Sequence, residues 1–192
     1  MKRIGITGGI GSGKSFVSSI FLKYNFKSFN SDFEAKNIIN NNNEIKNQII
    51  EKFGVFSYNN DTLNSEYISN IIFKDNKKLA QINKIVHPKV YDSYREFIIK
   101  NKNFNTVFES ALLFDYENFK NNDYNILITC PENLRIERIM ARGNLSYDDI
   151  KRIINSQIDY DKKKHIADFC IENIESQTTR KQVTEIIEKI IM

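Results

Sequence analysis

The chain has 192 residues, 41% of them hydrophobic and 27% charged, with a mean hydropathy of −0.46. That suits one compact, soluble, globular domain. No apolar run approaches the ~20 residues of a membrane helix, and Met1-Lys2-Arg3 gives way to glycines before a secretory core could form, so a cytoplasmic protein without membrane partners is expected. Twenty-eight basic against 24 acidic residues leave a net charge of +4, which fits anionic small molecules as readily as nucleic acid. Cys130 and Cys170 lack zinc or redox spacing and read as buried thiols. Asn (25 residues) and Ile (31) abound while Ala (5) is scarce, so the Asn40 to Asn43 run reads as compositional drift in an exposed segment.

Arg3 to Thr7 is a short β-compatible run ending at glycines, and Ser15 to Tyr24 has helical periodicity through Val17, Ile20, Phe21 and Tyr24. Further strands are predicted at Lys27 to Asn30, Thr106 to Glu109, Tyr124 to Thr129 and Asp168 to Glu172, separated by helical patterning. This alternation implies an α/β domain with a mainly parallel five-stranded sheet. Residues 31 to 104 read as a helical insertion on the substrate side. His87-Pro88 should break it, with Pro88 opening a new helix. Residues 131 to 161 read as a helical lid, started at Pro131, stopped at Gly143 and restarted at Ser146. Gln177 to Met192 reads as a closing helix. The whole is one domain, 1–192, with its core in 1–30, 105–130 and 165–192.

Gly8-Gly9-Ile10-Gly11-Ser12-Gly13-Lys14-Ser15 satisfies G-x-x-x-x-G-K-[ST] between a predicted strand and a predicted helix. Glycines let successive N–H groups converge on phosphate oxygens, and the helix N-terminus adds a favourable dipole. The segment Gly9, Ile10, Gly11, Ser12, Gly13, Lys14, Ser15 and Phe16 is therefore expected to bind nucleotide. Lys14 would reach the β and γ phosphates, Ser15 would ligate Mg²⁺ and Phe16 would offer its N–H. Asp-x-x-Gly and Asn-Lys-x-Asp are both absent from the sequence, which favours ATP over GTP.

Asp32 follows the second strand, where a kinase needs an acceptor for a hydroxyl proton. Ser31-Asp32-Phe33-Glu34 equally fits a capping box, and both readings stand. Glu109, at the end of an apolar strand, reads as a Mg²⁺ ligand or as a strand-end surface acid. Arg135, Arg138 and Arg142 share one helical face, with Arg152 nearby. They read as a phosphate-neutralising set or as a solvated face balanced by Glu132 and Glu137. Lys162 to Lys164 reads as solvent-exposed.

Taken in order, these motifs resemble the dephospho-coenzyme A kinase family from Ile4 to about Asn173. Ile6-Thr7-Gly8-Gly9-Ile10-Gly11-Ser12-Gly13-Lys14-Ser15 is similar to that family's own loop. Asn30-Ser31-Asp32 stands where Asp-Ala-Asp is common, and Ala111-Leu112-Leu113-Phe114-Asp115 where Pro-Leu-Leu-Phe-Glu is. His87-Pro88, Arg138, Arg142, Gln157, Lys163, Ala167-Asp168-Phe169 and Asn173 also match, whereas Arg135 stands where glutamine is common.

The resemblance implies a P-loop kinase-like three-layer α/β fold. It also implies phosphoryl transfer from ATP, with Mg²⁺, to the ribose 3′-hydroxyl of dephospho-CoA. Asp32, Lys14, Arg138 and Arg142 would be catalytic, and Asp32, His87 and Lys163 would meet the acceptor, although His87 equally reads as a brace at the helix break. A monomer without nucleic-acid partners is expected. The competing readings are a kinase for another nucleotide, nucleoside or small metabolite and, further off, a non-enzymatic nucleotide switch.

Overall fold

The computed structural model describes residues 1–72, 75–115, 117–143, 145–157 and 159–192. In chain order the elements are β1 (Arg3–Thr7), α1 (Lys14–Leu22), β2 (Lys27–Asn30), α2 (Ser31–Asn41), α3 (Asn43–Phe53), β3 (Tyr58–Asn59), β4 (Thr62–Leu63), α4 (Ser65–Ile72) and α5 (Asn76–Lys100). They continue with β5 (Thr106–Glu109), β6 (Tyr124–Thr129), α6 (Glu132–Met140), α7 (Tyr147–Ser156), β7 (Phe169–Glu172) and α8 (Ser176–Ile191). Two compact units result: residues 1–30 with 100–192, and residues 31–99.

The first unit is built on a five-stranded sheet of order β2-β5-β1-β6-β7, parallel at every pairing. Ile4, Ile6, Val107, Ile126 and Ile128 are buried, as strands covered on both faces must be. Val17, Ile20 and Phe21 of α1 and Val183, Ile187 and Ile190 of α8 join the same core. Each such side chain contributes about 1.5–3 kcal/mol relative to exposure. Helix α1 stops where Asn25 turns left-handed (φ 63°), with Phe26 N–H donating to Phe21 O and Asn25 N–H to Leu22 O. That is a Schellman ending, and Phe21 meets Phe26 edge to face at 5.1 Å.

The expected strands are all present, as are the helix starts and stop expected within residues 131 to 161. Pro131 caps α6, Gly143 adopts φ 75° beyond its end, and Ser146 caps α7 by accepting from Asp149 N–H at 3.2 Å. The thiol expectation fails. Cys130 is only half-buried and Cys170 is exposed, because β7 is an edge strand and Cys170 shares the outward face of Glu172 while Ile171 faces the core.

The second unit is helical, with one short hairpin, β3–β4, that the helical reading of this stretch missed. Its turn is Asn60-Asp61, with Asn60 left-handed (φ 54°). Tyr58 anchors it, donating from its hydroxyl to Ile39 O at 2.9 Å, and burial pushes the phenol up to about 12. The asparagine run is partly structural and not mere drift. Asn40 Oδ1 accepts from Leu63 N–H at 2.9 Å, and Asn42 caps α3 by accepting from Ile45 N–H at 3.1 Å.

The expected helix break at His87-Pro88 is absent, since α5 runs through Pro88 without interruption. Proline inside a helix costs ~3 kcal/mol. Ile82, Val86 and Val90, four residues apart on one face, are each buried, and together they outweigh that cost. His87 therefore braces no break. Its ring instead meets Tyr91, one turn on, edge to face at 6.3 Å.

Candidate active site

β1 delivers the glycine loop to the middle of the sheet, and α1 begins directly after it. Gly13 precedes the helix with φ 96°, and a Cβ there would lie 1.9 Å from Asn173 Nδ2, so only glycine fits. Asn173 is buried and braces the loop, its Nδ2 donating to Ser12 O at 2.7 Å while its Oδ1 accepts from Thr179 Oγ1 at 2.9 Å. These residues are 161 positions apart and no local spacing links them. The Ser12 hydroxyl is buried without a partner among the described residues.

The loop's donors divide. Ser12 N–H is used internally, donating to Gly9 O at 3.1 Å, and Ile10 N–H donates to Gln157 Oε1 at 2.9 Å. Ser15 and Phe16 lie in the first turn of α1, where N–H groups have no partner within the helix. Lys14 folds back over the loop, with Nζ donating to Gly8 O at 3.0 Å.

Ser15 Oγ donates to Glu109 Oε1 at 2.6 Å. Glu109 ends β5, in register with Ile6 of β1 and Asn30 of β2, and is only 3% exposed. It is thus no surface acid. A hydroxyl and a buried carboxylate side by side are hard oxygen donors of the kind Mg²⁺ takes. Two protein ligands, with substrate phosphates completing the shell, suit that ion.

Arg135, Arg138 and Arg142 do not act as one face. Arg135 turns onto the loop, with Nε donating to Ile10 O at 2.7 Å and Nη2 to Gln157 Oε1 at 3.2 Å, and burial lowers its pKa. Arg138 donates to Asn173 O and Ile174 O, each at 3.0 Å, and to Cys130 Sγ at 3.3 Å. Burial raises the Cys130 thiol pKa, a rise these two arginines oppose. Arg142 lies beyond the end of α6, exposed, with its N–H donating to Ile139 O at 3.1 Å and its side chain without a hydrogen bond or ion pair among the described residues. Glu132 pairs with Lys151, and its charge also acts on Arg135. A cleft of about 530 Å³ adjoins the loop, lined by Gly9, Ser12, Cys130, Arg135, Gln157 and Tyr160 among others.

Lys162 and Lys164 pair with Asp159 and Asp161 on the surface. Lys163 is half-buried; desolvation raises the pKa of Asp115, and the Lys163 charge opposes that rise.

In the helical unit, Asp32 is exposed in the first turn of α2. The capping box is not formed, because Ser31 is the first helical residue and its hydroxyl caps no N–H among the described residues. Desolvation lowers the His87 pKa, and the Asp32 charge opposes that shift.

A glycine loop on the central strand of an all-parallel sheet, with a buried carboxylate held to its serine, is how P-loop kinases present a nucleotide. The solved structures that share this fold include TT1252 from Thermus thermophilus, at TM-score 0.85 and 23% identity, covering 100% of this chain and 98% of that one. Shikimate kinase from Acinetobacter baumannii shares it at TM-score 0.55 and 14% identity, covering 100% and 93%. The class is a P-loop kinase.

Within that class, the dephospho-CoA kinase family model matches residues 2–179. The dephospho-CoA kinase of Staphylococcus aureus (strain bovine RF122 / ET3-1) is 33% identical over 189 residues, covering 96% of this chain and 90% of its relative. That of Campylobacter jejuni is 26% identical at TM-score 0.67, covering 98% and 96%. The chain belongs to the dephospho-CoA kinase family. It is a phosphotransferase with an alcohol group as acceptor, serving the final step of coenzyme A biosynthesis, and the family match does not favour another acceptor. Among the described residues no helix is long and apolar enough to cross a membrane.

Proposed function

We propose that the protein moves the γ-phosphoryl group of ATP to the ribose 3′-hydroxyl of dephospho-CoA by the following division of labour. The main-chain N–H groups of the Gly9 to Phe16 segment other than those of Ile10 and Ser12, with Lys14, hold the donor's phosphates, and the dipole of α1 favours their charge. Ser15 and Glu109 would hold Mg²⁺, which when bound supplies charge neutralisation on the phosphate oxygens.

Asp32 accepts or orients the hydroxyl proton, and an exposed carboxylate with no capping duty is available for that work. Arg142, whose side chain has no partner among the described residues, approaches the transferring group, and bidentate guanidinium suits the charge that develops there. Arg138, held by main-chain carbonyls, presents a fixed positive charge beside the start of α1. His87 and Lys163 contact the acceptor. Positioning and preorganised charge supply the rate. We expect a cytoplasmic monomer with no nucleic-acid partner.

The observation that carries this reading is the Ser15–Glu109 hydrogen bond of 2.6 Å beside the glycine loop. The test is ADP release with Mg²⁺ across dephospho-CoA, AMP, shikimate, a nucleoside and RNA. Turnover on dephospho-CoA alone is expected. Turnover on another acceptor, or none that depends on an acceptor, would sink the reading. Loss of turnover in Glu109→Gln, offset by raised Mg²⁺, would identify the metal ligand.

A further inference from the structure

Ile10, at the tip of the phosphate loop, has both main-chain groups held by side chains of the 131–161 segment. Its N–H donates to Gln157 Oε1 at 2.9 Å and its carbonyl accepts from Arg135 Nε at 2.7 Å. Arg135 Nη2 donates to the same Gln157 oxygen at 3.2 Å, so two donors on one atom fix which way the amide faces. The guanidinium lies directly against the loop: a Cβ built on Gly9 would stand 2.4 Å from Arg135 Nη2. All three partners are at least half-buried, which strengthens charge-assisted hydrogen bonds of this kind.

We propose that Arg135 and Gln157 form a latch that positions the phosphate loop and thereby sets the affinity for ATP. Ile10 is flanked by Gly9 and Gly11, and glycines lose the most conformational freedom when ordered. A loop ordered only when the nucleotide arrives would meet that entropic cost within the binding step. Holding the Ile10 peptide from both sides meets it in the free protein, which is preorganisation. The ordered loop serves the ground-state complex and the transition state alike. Losing the latch therefore raises the ATP KM more than it lowers kcat. Arg135 and Gln157 are positioning residues, acting through the loop.

This inference rests on the loop being the ATP site. The test uses the full chain with Gln157→Met, Arg135→Met and the double variant, since methionine keeps the length of Gln157 and the apolar stem of Arg135 while removing the polar head of each. KM for ATP, KM for dephospho-CoA, kcat and Tm are measured, together with the Kd of a non-hydrolysable ATP analogue. Each single variant is expected to raise the ATP KM and the analogue Kd about tenfold, the worth of one charge-assisted hydrogen bond. The acceptor KM should move far less. The double variant should be no worse than the more damaging single one, because the two side chains act as a unit.

Equal rises in both KM values, multiplying effects in the double variant, or a lower Tm with unchanged ATP affinity would each overturn the latch. Were the wild type to show no dephospho-CoA-dependent turnover, the kinase reading would fall, while the analogue titration would still decide the latch.

Discussion

In the sheet-bearing unit, polar side chains are buried and put to use. Glu109 holds Ser15, Asn173 links Ser12 to Thr179, and Arg135 and Gln157 grip Ile10. In the helical unit, burial is mostly apolar, through Ile38, Ile45, Ile49 and Phe53 and the Ile82, Val86, Val90 seam, while charges such as Lys46 and Asp61 pair near the surface. On the proposed division of labour, the contrast follows from the ligands. Phosphates must be met by N–H groups of fixed direction, which only a braced backbone supplies. A helical insertion can present side chains on its faces and needs no fixed loop.

The largest expected effects test whether chemistry is split between the two units. Asp32→Asn should lower turnover by about 10²–10⁴-fold, the usual worth of a general base, with the ATP KM little changed. Lys14→Ala in the other unit should cost about 10²–10³-fold, as for one lost electrostatic donor. Steady-state kinetics on variants shown to fold by circular dichroism checks both. Near-normal turnover in Asp32→Asn would leave the helical unit without a catalytic group.

A sharper contrast lies between Arg142 and Arg138. Arg142→Ala should slow transfer while leaving Tm nearly unchanged, because its side chain has no partner among the described residues. Arg138→Ala should also lower stability, by about 1–3 kcal/mol, since the carbonyls of Asn173 and Ile174 lose their donor. Thermal melts beside kinetics separate the two, and equal destabilisation would show that Arg142 is structural after all.

Pro88→Ala tests the helical unit alone. It restores an N–H to the middle of α5 and should raise stability by about 1–3 kcal/mol, read by urea denaturation. No gain would mean that α5 bends around the ring without cost.

The smallest effect is the pH dependence of His87. Its folded pKa lies below the ordinary 6.5, so the unfolded chain takes up a proton that the folded chain resists. The stability it contributes is complete above about 6.5 and is lost as pH falls through the folded value. Wild type should therefore lose more stability than His87→Gln between pH 7 and pH 5 in paired melts.

The glycine loop was legible because the strand, the loop and the first turn of the helix are contiguous in sequence. The strands of the main sheet could be read from short apolar runs bounded by turn residues, except β2, where Phe29 is the one apolar residue. The hairpin at Tyr58 to Leu63 escaped because two-residue strands are too short to show alternation, and its anchor is a tyrosine hydroxyl reaching α2. The His87-Pro88 break was a sound local inference overruled by burial at Ile82, Val86 and Val90. Arg135 and Arg138 lie on α6 as the helical pattern expected, while Arg142, expected on the same face, falls past the helix end. Yet periodicity cannot tell which guanidinium meets a peptide, which meets carbonyls at the end of β7 and which meets water.

From the sequence alone came an α/β chain with a nucleotide-phosphate loop on its first strand, because those features depend on the order and spacing of neighbouring residues. Its likeness to one kinase family came from motifs in a fixed order. Tertiary structure alone decided that Glu109 is buried against Ser15, that Asn173 braces Ser12 and that Arg135 and Gln157 hold Ile10. Each of these joins residues 94 to 161 positions apart. Contacts of that span are set by how strands stack into a sheet and how helices return across it, and no local pattern of residues encodes them.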